Sequence, residues 1–413
     1  VISVCSVISF LFLALGTAAF AQGADNSFSP FALRRQSQQA QREYIAELKQ
    51  RVTHEPDNAA LQLDLGRALY WLALERDGGA RVRVHKSEMG QGVLTALPML
   101  VAEELDLPLA RVHVELAPGA LEFRDARGNQ TTGYSSSVSS SYLPMRTMGA
   151  AAREMLCVAA ARRWSLDATR LETLDGEVLD RSTLPARRIG YGELLADLHD
   201  ISVPAAPRLK QRADFRVIGR PARRLDTPAK IDGSACFGYD VRVPGMRVAM
   251  IARSPDPGGR LGGFDARGAL AVSGVERVVQ VPSGVAVVAR DSWSASRGRD
   301  ALEVRWEAGA VTAGDSGDHA RALRALLDVP GTRGRHEGDP ESAERERRAG
   351  WLQADYWTPF LAHAALEPLA ATAHVQQDRC DLWLGTQAPS RAQDWAARLT
   401  GLPPERVFVH TLP

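Results

Sequence analysis

A glutamine between two glycines, Gly90-Gln91-Gly92, stands where "VRVHKSEMGQGVLTALPMLVAEELDLP" changes from strand-like alternation to helical periodicity. A helix start carries unpaired N–H donors and a partial positive charge, and glycine leaves room beside them for a ligand. This spacing suits a turn that cradles an anion, with the Gln91 amide offering donors and an acceptor to a heterocycle edge or a polar oxygen. Glycines that only turn the chain would give the same pattern. In a second segment, "GNQTTGYSSSVSSSY", the hydroxyls are too dense for a core. Serines ahead of a helix cap its first turn and bond phosphate oxygens, with a capped flexible loop as the plain alternative for any one of them. Two such helix starts point to a large phosphorylated ligand. His363 and Glu367, in "AHAALEP", have helical spacing but make an incomplete metal pair, so no metal ligands are assigned. Cys5, Cys157, Cys236 and Cys380 lie too far apart for a zinc or iron–sulfur pattern and read as small buried groups.

The elements that must position these residues follow from periodicity. Residues 81–86 alternate as a half-buried strand, 93–105 run as a helix and 111–116 alternate again, a strand–helix–strand unit. A long helix is expected over 143–164, with Met145, Met148, Ala152, Met155, Leu156, Ala159 and Ala160 on one small-residue face, and Asp175-Gly176 marks a hairpin. Residues 215–308 are rich in alternating β patterns broken by Pro-Gly and Gly-Gly, which predicts a separate small α+β domain. Residues 309–349 are charge-mixed and read as a solvated connection; a strand over 351–356 resumes the fold. The fold class is α/β with α+β character.

At the front, the first 22 residues carry no charge and end in Ala19-Phe20-Ala21, the pattern of an export signal, with an uncleaved membrane anchor as the alternative. Residues 23–76 are helical in pattern, and "EPDNAALQLDLGRALYWLALERDG" is weakly tetratricopeptide-like without a second copy. With 50 Lys and Arg against 49 Asp and Glu, no overall field steers the chain to nucleic acid.

Four stretches in consistent order, "KSEMGQGVLTALPMLVAEELDLP", "TTGYSSSVSSSYLPMRTMGAAAREML", "RLDTPAKIDGSACFGYDVRVPGMRVAMIARSP" and "AHAALEPLAATAHV...LWLGTQAP", resemble the molybdenum-binding subunit of the xanthine dehydrogenase and aldehyde oxidase family, the isoquinoline 1-oxidoreductase beta type most of all. The resemblance implies a molybdopterin cofactor, as the cytosine dinucleotide, held by Gly90, Gln91 and Gly92 and by Ser135, Ser136 and Ser137. It matches Gln387, in "GTQAP", to a glutamine that donates a hydrogen bond to an oxygen ligand of molybdenum, though a loop-capping glutamine would read the same. It makes residues 77–205 the molybdopterin-binding segment, 215–308 a hammerhead-like domain and 350–413 the start of a molybdenum-binding domain. Further implied are an aldehyde or N-heterocycle substrate, water as oxygen source, and a small partner subunit with two [2Fe-2S] clusters. Family members continue beyond the position of Pro413 with a glycine-rich loop and a late basic glutamate, so this chain alone is expected to lack turnover and to bind cofactor partially. The competing expectation is an exported helical-repeat interaction protein with a degenerate cofactor domain. Another is that residues 1–70 are foreign to the remainder.

Overall fold

The computed structural model of the protein describes residues 2–4 and 71–413, apart from 126, 257, 310–314, 336, 340–341, 343–351 and 353. The expected export signal, except for residues 2–4, and most of the expected helical segment lie outside these residues. No helix among the described residues is long and apolar enough to cross a membrane.

Strand β1 is Ile2–Val4 and β2 is Leu72–Leu74. The second corrects the sequence reading, in which residues 72–74 closed a helix. Leu72 is buried against the core, and the turn at Asp77-Gly78-Gly79 folds β2 back antiparallel onto β3, Ala80–Val84. In β3, Ala80, Val82 and Val84 are buried while Arg81 and Arg83 face a ladder of Glu75 and Glu115. Helix α1, Val93–Glu104, crosses over this sheet, and β4, Val112–Leu116, returns parallel to β3. This is the expected strand–helix–strand unit.

Helix α2, Ser137–Trp164, lies across α1. Gly149 makes the close crossing possible: a Cβ there would stand 2.9 Å from both the Glu104 Cβ and the Val101 carbonyl oxygen. Met145, Met148, Leu156, Ala159 and Ala160 are buried as the small-residue face required, while Ala152 and Met155 are half-buried. The helix begins six residues ahead of the expected start, at Ser137 rather than 143. Pro144, which favours a first turn, sits inside it. The left-handed residues Tyr134 (φ 55°) and Ser135 (φ 52°) set the true boundary. The meander of β5 (Glu172–Leu174), β6 (Glu177–Asp180) and β7 (Arg187–Gly190) turns at Asp175-Gly176, both left-handed, as the hairpin signal required.

Two buried carboxylates at the end of α1 fasten the next stretch. Glu104 pairs with Arg146 and Arg153, and Glu103 accepts from Lys210 and from the backbone N–H groups of Arg216, Val217 and Ile218. Burial alone would raise the Glu103 pKa; those N–H donors and Lys210 outweigh it and hold the group low.

The β-rich stretch opens with helix α3, Thr227–Asp232, and holds β8 (Arg247–Ala252), β9 (Arg260–Asp265), β10 (Val275–Val281), β11 (Gly284–Ala289), helix α4 (Ser292–Asp300) and β12 (Glu303–Glu307). Strands β10, β11 and β8 run side by side, and β9 pairs with β12. The expected linker is not wholly irregular. It contains helix α5, Ser316–Leu326, whose N-cap Asp315 and third residue Asp318 form a capping box; none of its residues is buried. No strand forms over the described residues of 351–356, which are irregular and exposed; the chain stays irregular up to Ala370, with Glu367 and Ala370 half-buried. His363 and Glu367 therefore share no helix face, and Glu367 instead accepts the Gly238 N–H at 2.6 Å. Strands β13 (Ala371–Val375), β14 (Cys380–Gly385) and β15 (Val407–Leu412) close the fold with helix α6, Pro389–Thr400, packed on β15. Backbone pairing of β1 with β8 and with β13 joins the two ladders into one seven-stranded sheet.

Candidate cofactor-binding site

Between β3 and α1 the chain runs His85, Lys86, Ser87, Glu88, Met89 and then the glycine turn, with Gly90 (φ 95°) and Gly92 (φ 84°) both left-handed. No residue in the first turn of α1 is acidic and Gly92 has no side chain to cap it. The charge at this helix start comes from Glu88. Its Oε1 accepts from Gly90 N (2.8 Å) and Gly92 N (2.9 Å), and its Oε2 from Leu94 N (3.0 Å). Glu88 is 3% exposed. Burial would raise its pKa, but the three N–H donors, with Arg224 beside them, bring it below the usual carboxylate value. The turn is therefore not the free anion cradle its sequence suggested, because the chain's own carboxylate fills it. Gln91 is exposed, yet its amide is largely committed: Nε2 donates to Ser87 O at 2.9 Å and Oε1 accepts from Met89 N at 2.6 Å. An added Cβ at Gly90 or Gly92 would meet nothing within 4 Å, so the turn faces open space.

The serine segment is built differently. Ser136 is the N-cap of α2 and its hydroxyl donates to Gly133 O at 2.9 Å, and Ser139 Oγ donates to Ser136 O. Among the described residues the hydroxyls of Ser135 and Ser137 have no partner, and Ser140 Oγ is buried without one. No acidic residue lies in the first turn of α2. Ser141 Oγ stands 3.4 Å from His85 Nε2, and the His85 ring stacks on Trp71 with centroids 4.4 Å apart. Burial, helped by the Lys86 charge, drives the His85 pKa down to about 3, so the imidazole is neutral at physiological pH. Its Nδ1 is also buried without a partner.

Gln387 lies in the turn between β14 and α6, exposed, and its side chain has no partner among the described residues. Hydrogen bonds bring the three segments together. Thr132 N donates to Gln387 O at 2.7 Å, Ser87 N to Thr132 Oγ1 at 2.8 Å, and Ser87 Oγ to Thr386 O at 2.6 Å. Lys86 Nζ reaches Thr131 O at 2.9 Å. Behind this junction Gln130 N donates to Ser390 Oγ, and Arg124 binds Gln393 and Asp394 on α6. The glycine turn, the serine segment and Gln387 are thus neighbours, although 299 residues separate Ser87 from Thr386.

Sequence reasoning missed Glu88 and its partner Arg224. Arg224 Nη1 donates to Gly90 O at 2.7 Å and Nη2 lies 3.2 Å from Glu88 Oε1. The available signal was an acid two residues ahead of Gly90, within reach of a helix start that prefers an anion. His85 and Trp71 carried none.

Two family models, each a molybdopterin cofactor-binding domain, match residues 44–243 and 328–413, together more than half of the chain. The first begins inside the stretch read as a helical repeat, so part of that stretch is continuous with the cofactor-binding region. The beta subunit of isoquinoline 1-oxidoreductase from Brevundimonas diminuta is 32% identical over 82% of this chain and 49% of its own length. A nicotinate dehydrogenase subunit from Pseudomonas putida is 30% identical over 77% of this chain and 27% of its own. A protein of Gluconacetobacter polyoxogenes named membrane-bound aldehyde dehydrogenase (pyrroloquinoline-quinone) is 25% identical over 83% of this chain and 45% of its own. The chain spans about half the length of the first of these relatives or less. The matches favour the enzyme reading over the helical-repeat one. With two cofactor-binding domains matched in order, the chain belongs to the molybdopterin-binding subunits of the xanthine dehydrogenase and aldehyde oxidase family.

Proposed function

We propose that this chain holds molybdopterin, as its cytosine dinucleotide, within the large subunit of a molybdenum hydroxylase. The observation that carries the reading is the junction of Ser87, Thr132 and the Thr386-Gln387 backbone, which gathers the glycine turn, the serine segment and Gln387 into one place. The residues present fit such a group unequally. Uncommitted hydroxyls of Ser135 and Ser137 and the orphaned Ser140 Oγ suit phosphate oxygens at the start of α2. The glycine turn offers open space and the remaining Gln91 amide hydrogen, which suits a neutral ring edge rather than a phosphate. Gln387, exposed and without a side-chain partner among the described residues, would donate to an oxygen on the reacting side.

When bound, the group supplies two-electron redox chemistry. The chain's part is to orient it, with Gln387 presenting an amide hydrogen and the neutral His85 leaving no positive charge of its own beside the serines. The whole protein would oxidise an aromatic N-heterocycle, taking oxygen from water and passing two electrons to a small [2Fe-2S] subunit. Relatives named for isoquinoline and nicotinate support that substrate class, and an aldehyde is supported by the third. Residues 1–22 would direct export to the periplasm or anchor the protein in the membrane.

The test is molybdenum and pterin analysis of the full-length protein matured with its partner. Gln387→Ala should retain pterin and lose about 10²–10³ in kcat, the usual cost of one positioned donor. Absence of both pterin and molybdenum from the matured wild type would overturn the reading.

A further inference from the structure

The glycine turn owes its shape to two residues outside the motif. Gly90, Gly92 and Leu94 direct their N–H groups at one buried carboxylate, Glu88, whose side chain is 1% exposed. Arg224 then holds both ends of that arrangement, the carboxylate through Nη2 and the Gly90 carbonyl through Nη1. Arg224 is itself fixed by Asp226, through Nε at 2.9 Å and Nη2 at 2.6 Å, and Asp226 also takes Lys230 Nζ at 2.8 Å. The adjoining Leu225 N donates to Thr95 Oγ1 in the first turn of α1. A planar fork with several donors can bridge a carboxylate and a carbonyl at once, which a lysine cannot do with equal geometry.

We infer that Glu88 and Arg224 are the positioning pair of the cofactor site: they lock the left-handed turn, and so fix where Gln91 presents its amide, with Arg224 reaching it from 134 residues beyond Gly90 in the chain. Both would act on the cofactor only through the turn they hold. The inference rests on the proposed cofactor role of the turn, and it places the start of the 223–232 segment within the site's supporting structure.

Three readings on the full-length matured protein test it: amide hydrogen exchange of the peptide covering residues 90–94, pterin retained per folded chain after dilution, and the unfolding temperature. Arg224→Leu should exchange at least tenfold faster over that peptide and lose pterin at least tenfold faster, with Arg224→Lys recovering part of both. Glu88→Gln, with one acceptor oxygen for three donors, should show the same losses. If Glu88→Gln fails to fold, the Arg224 variants decide alone. A purely structural role would lower the unfolding temperature while leaving pterin retention in the folded fraction unchanged. Wild-type exchange and retention in Arg224→Leu would overturn the pair. A wild type that carries no pterin would sink the functional reading instead, and the exchange rates would still judge the lock.

Discussion

Replacing Ser87 by alanine tests the junction on which the site depends. Ser87 is 3% exposed, and its hydroxyl donates to Thr386 O at 2.6 Å while its N–H meets Thr132 Oγ1 at 2.8 Å. Alanine keeps the second bond, deletes the first and leaves the Thr386 carbonyl without that donor. A net hydrogen bond contributes about 1 kcal/mol, and a buried acceptor left unpaired costs about 1–3 kcal/mol. Since the carbonyl is only partly buried, the low to middle part of that range applies, about 2 kcal/mol. At about 2–4 °C per kcal/mol for a chain with large domains, the midpoint should fall by about 4–8 °C. Urea and thermal unfolding measure this directly. Thr132→Val removes the acceptor of the second bond at nearly constant volume, and both bonds fasten the same seam. The double variant should therefore depart from additivity by at least about 0.5 kcal/mol. A Ser87→Ala protein within about 0.5 kcal/mol of wild type, or strict additivity, would refute the account.

Two further outcomes follow from the environments of particular side chains. His85 is held neutral, with a folded pKa of about 3 against an ordinary value near 6.5, so the unfolded chain binds the extra proton first. Its contribution is complete above the unfolded value and is lost as pH falls through the window between them; His85→Phe, which keeps the stack on Trp71, should flatten the stability profile there. An unchanged slope between roughly pH 3 and 6.5 would contradict the neutral assignment. Burial pushes the thiols of Cys157 and Cys380 up to about 11, whereas Cys236 is exposed. Mass spectrometry after brief alkylation near pH 8 should find Cys236 modified well ahead of the other two, and equal labelling of all three in the native protein would show that reasoning wrong.

The sequence disclosed the fold where local periodicity and burial agree. "ARVRV" alternates because one face of β3 meets α1 and the other faces the Glu75 and Glu115 carboxylates, so its pattern is legible without the structure. Asp175-Gly176 reads as a turn for the same reason, since both residues must be left-handed. The reading failed where charge or proline dominated. Helix α5 was hidden in a charged window because none of its residues is buried, leaving only the Asp315 and Asp318 capping box to announce it. The start of α2 was displaced by Pro144, and residues 354–356 take no strand pairing although their composition allowed one.

For the site, the two helix starts look alike in one dimension, each a polar turn ahead of an apolar helix, and the same anion-binding argument applies to both. What separates them is what already occupies each end. Glu88 sits inside the donors of α1, whereas α2 begins with no acid in its first turn and with serine hydroxyls to spare. A carboxylate two residues from a glycine can fold into the helix start only if something balances its burial, and here the balance comes in part from Arg224, far along the chain. Motif reading sees the glycines and the glutamine because they are contiguous. It misses the counter-charge because that partner is fixed by tertiary structure, and so it gave the two turns equal roles. If the turns serve the proposed cofactor, the physical distinction suits phosphate to the open helix start and a ring edge, through Gln91, to the filled one.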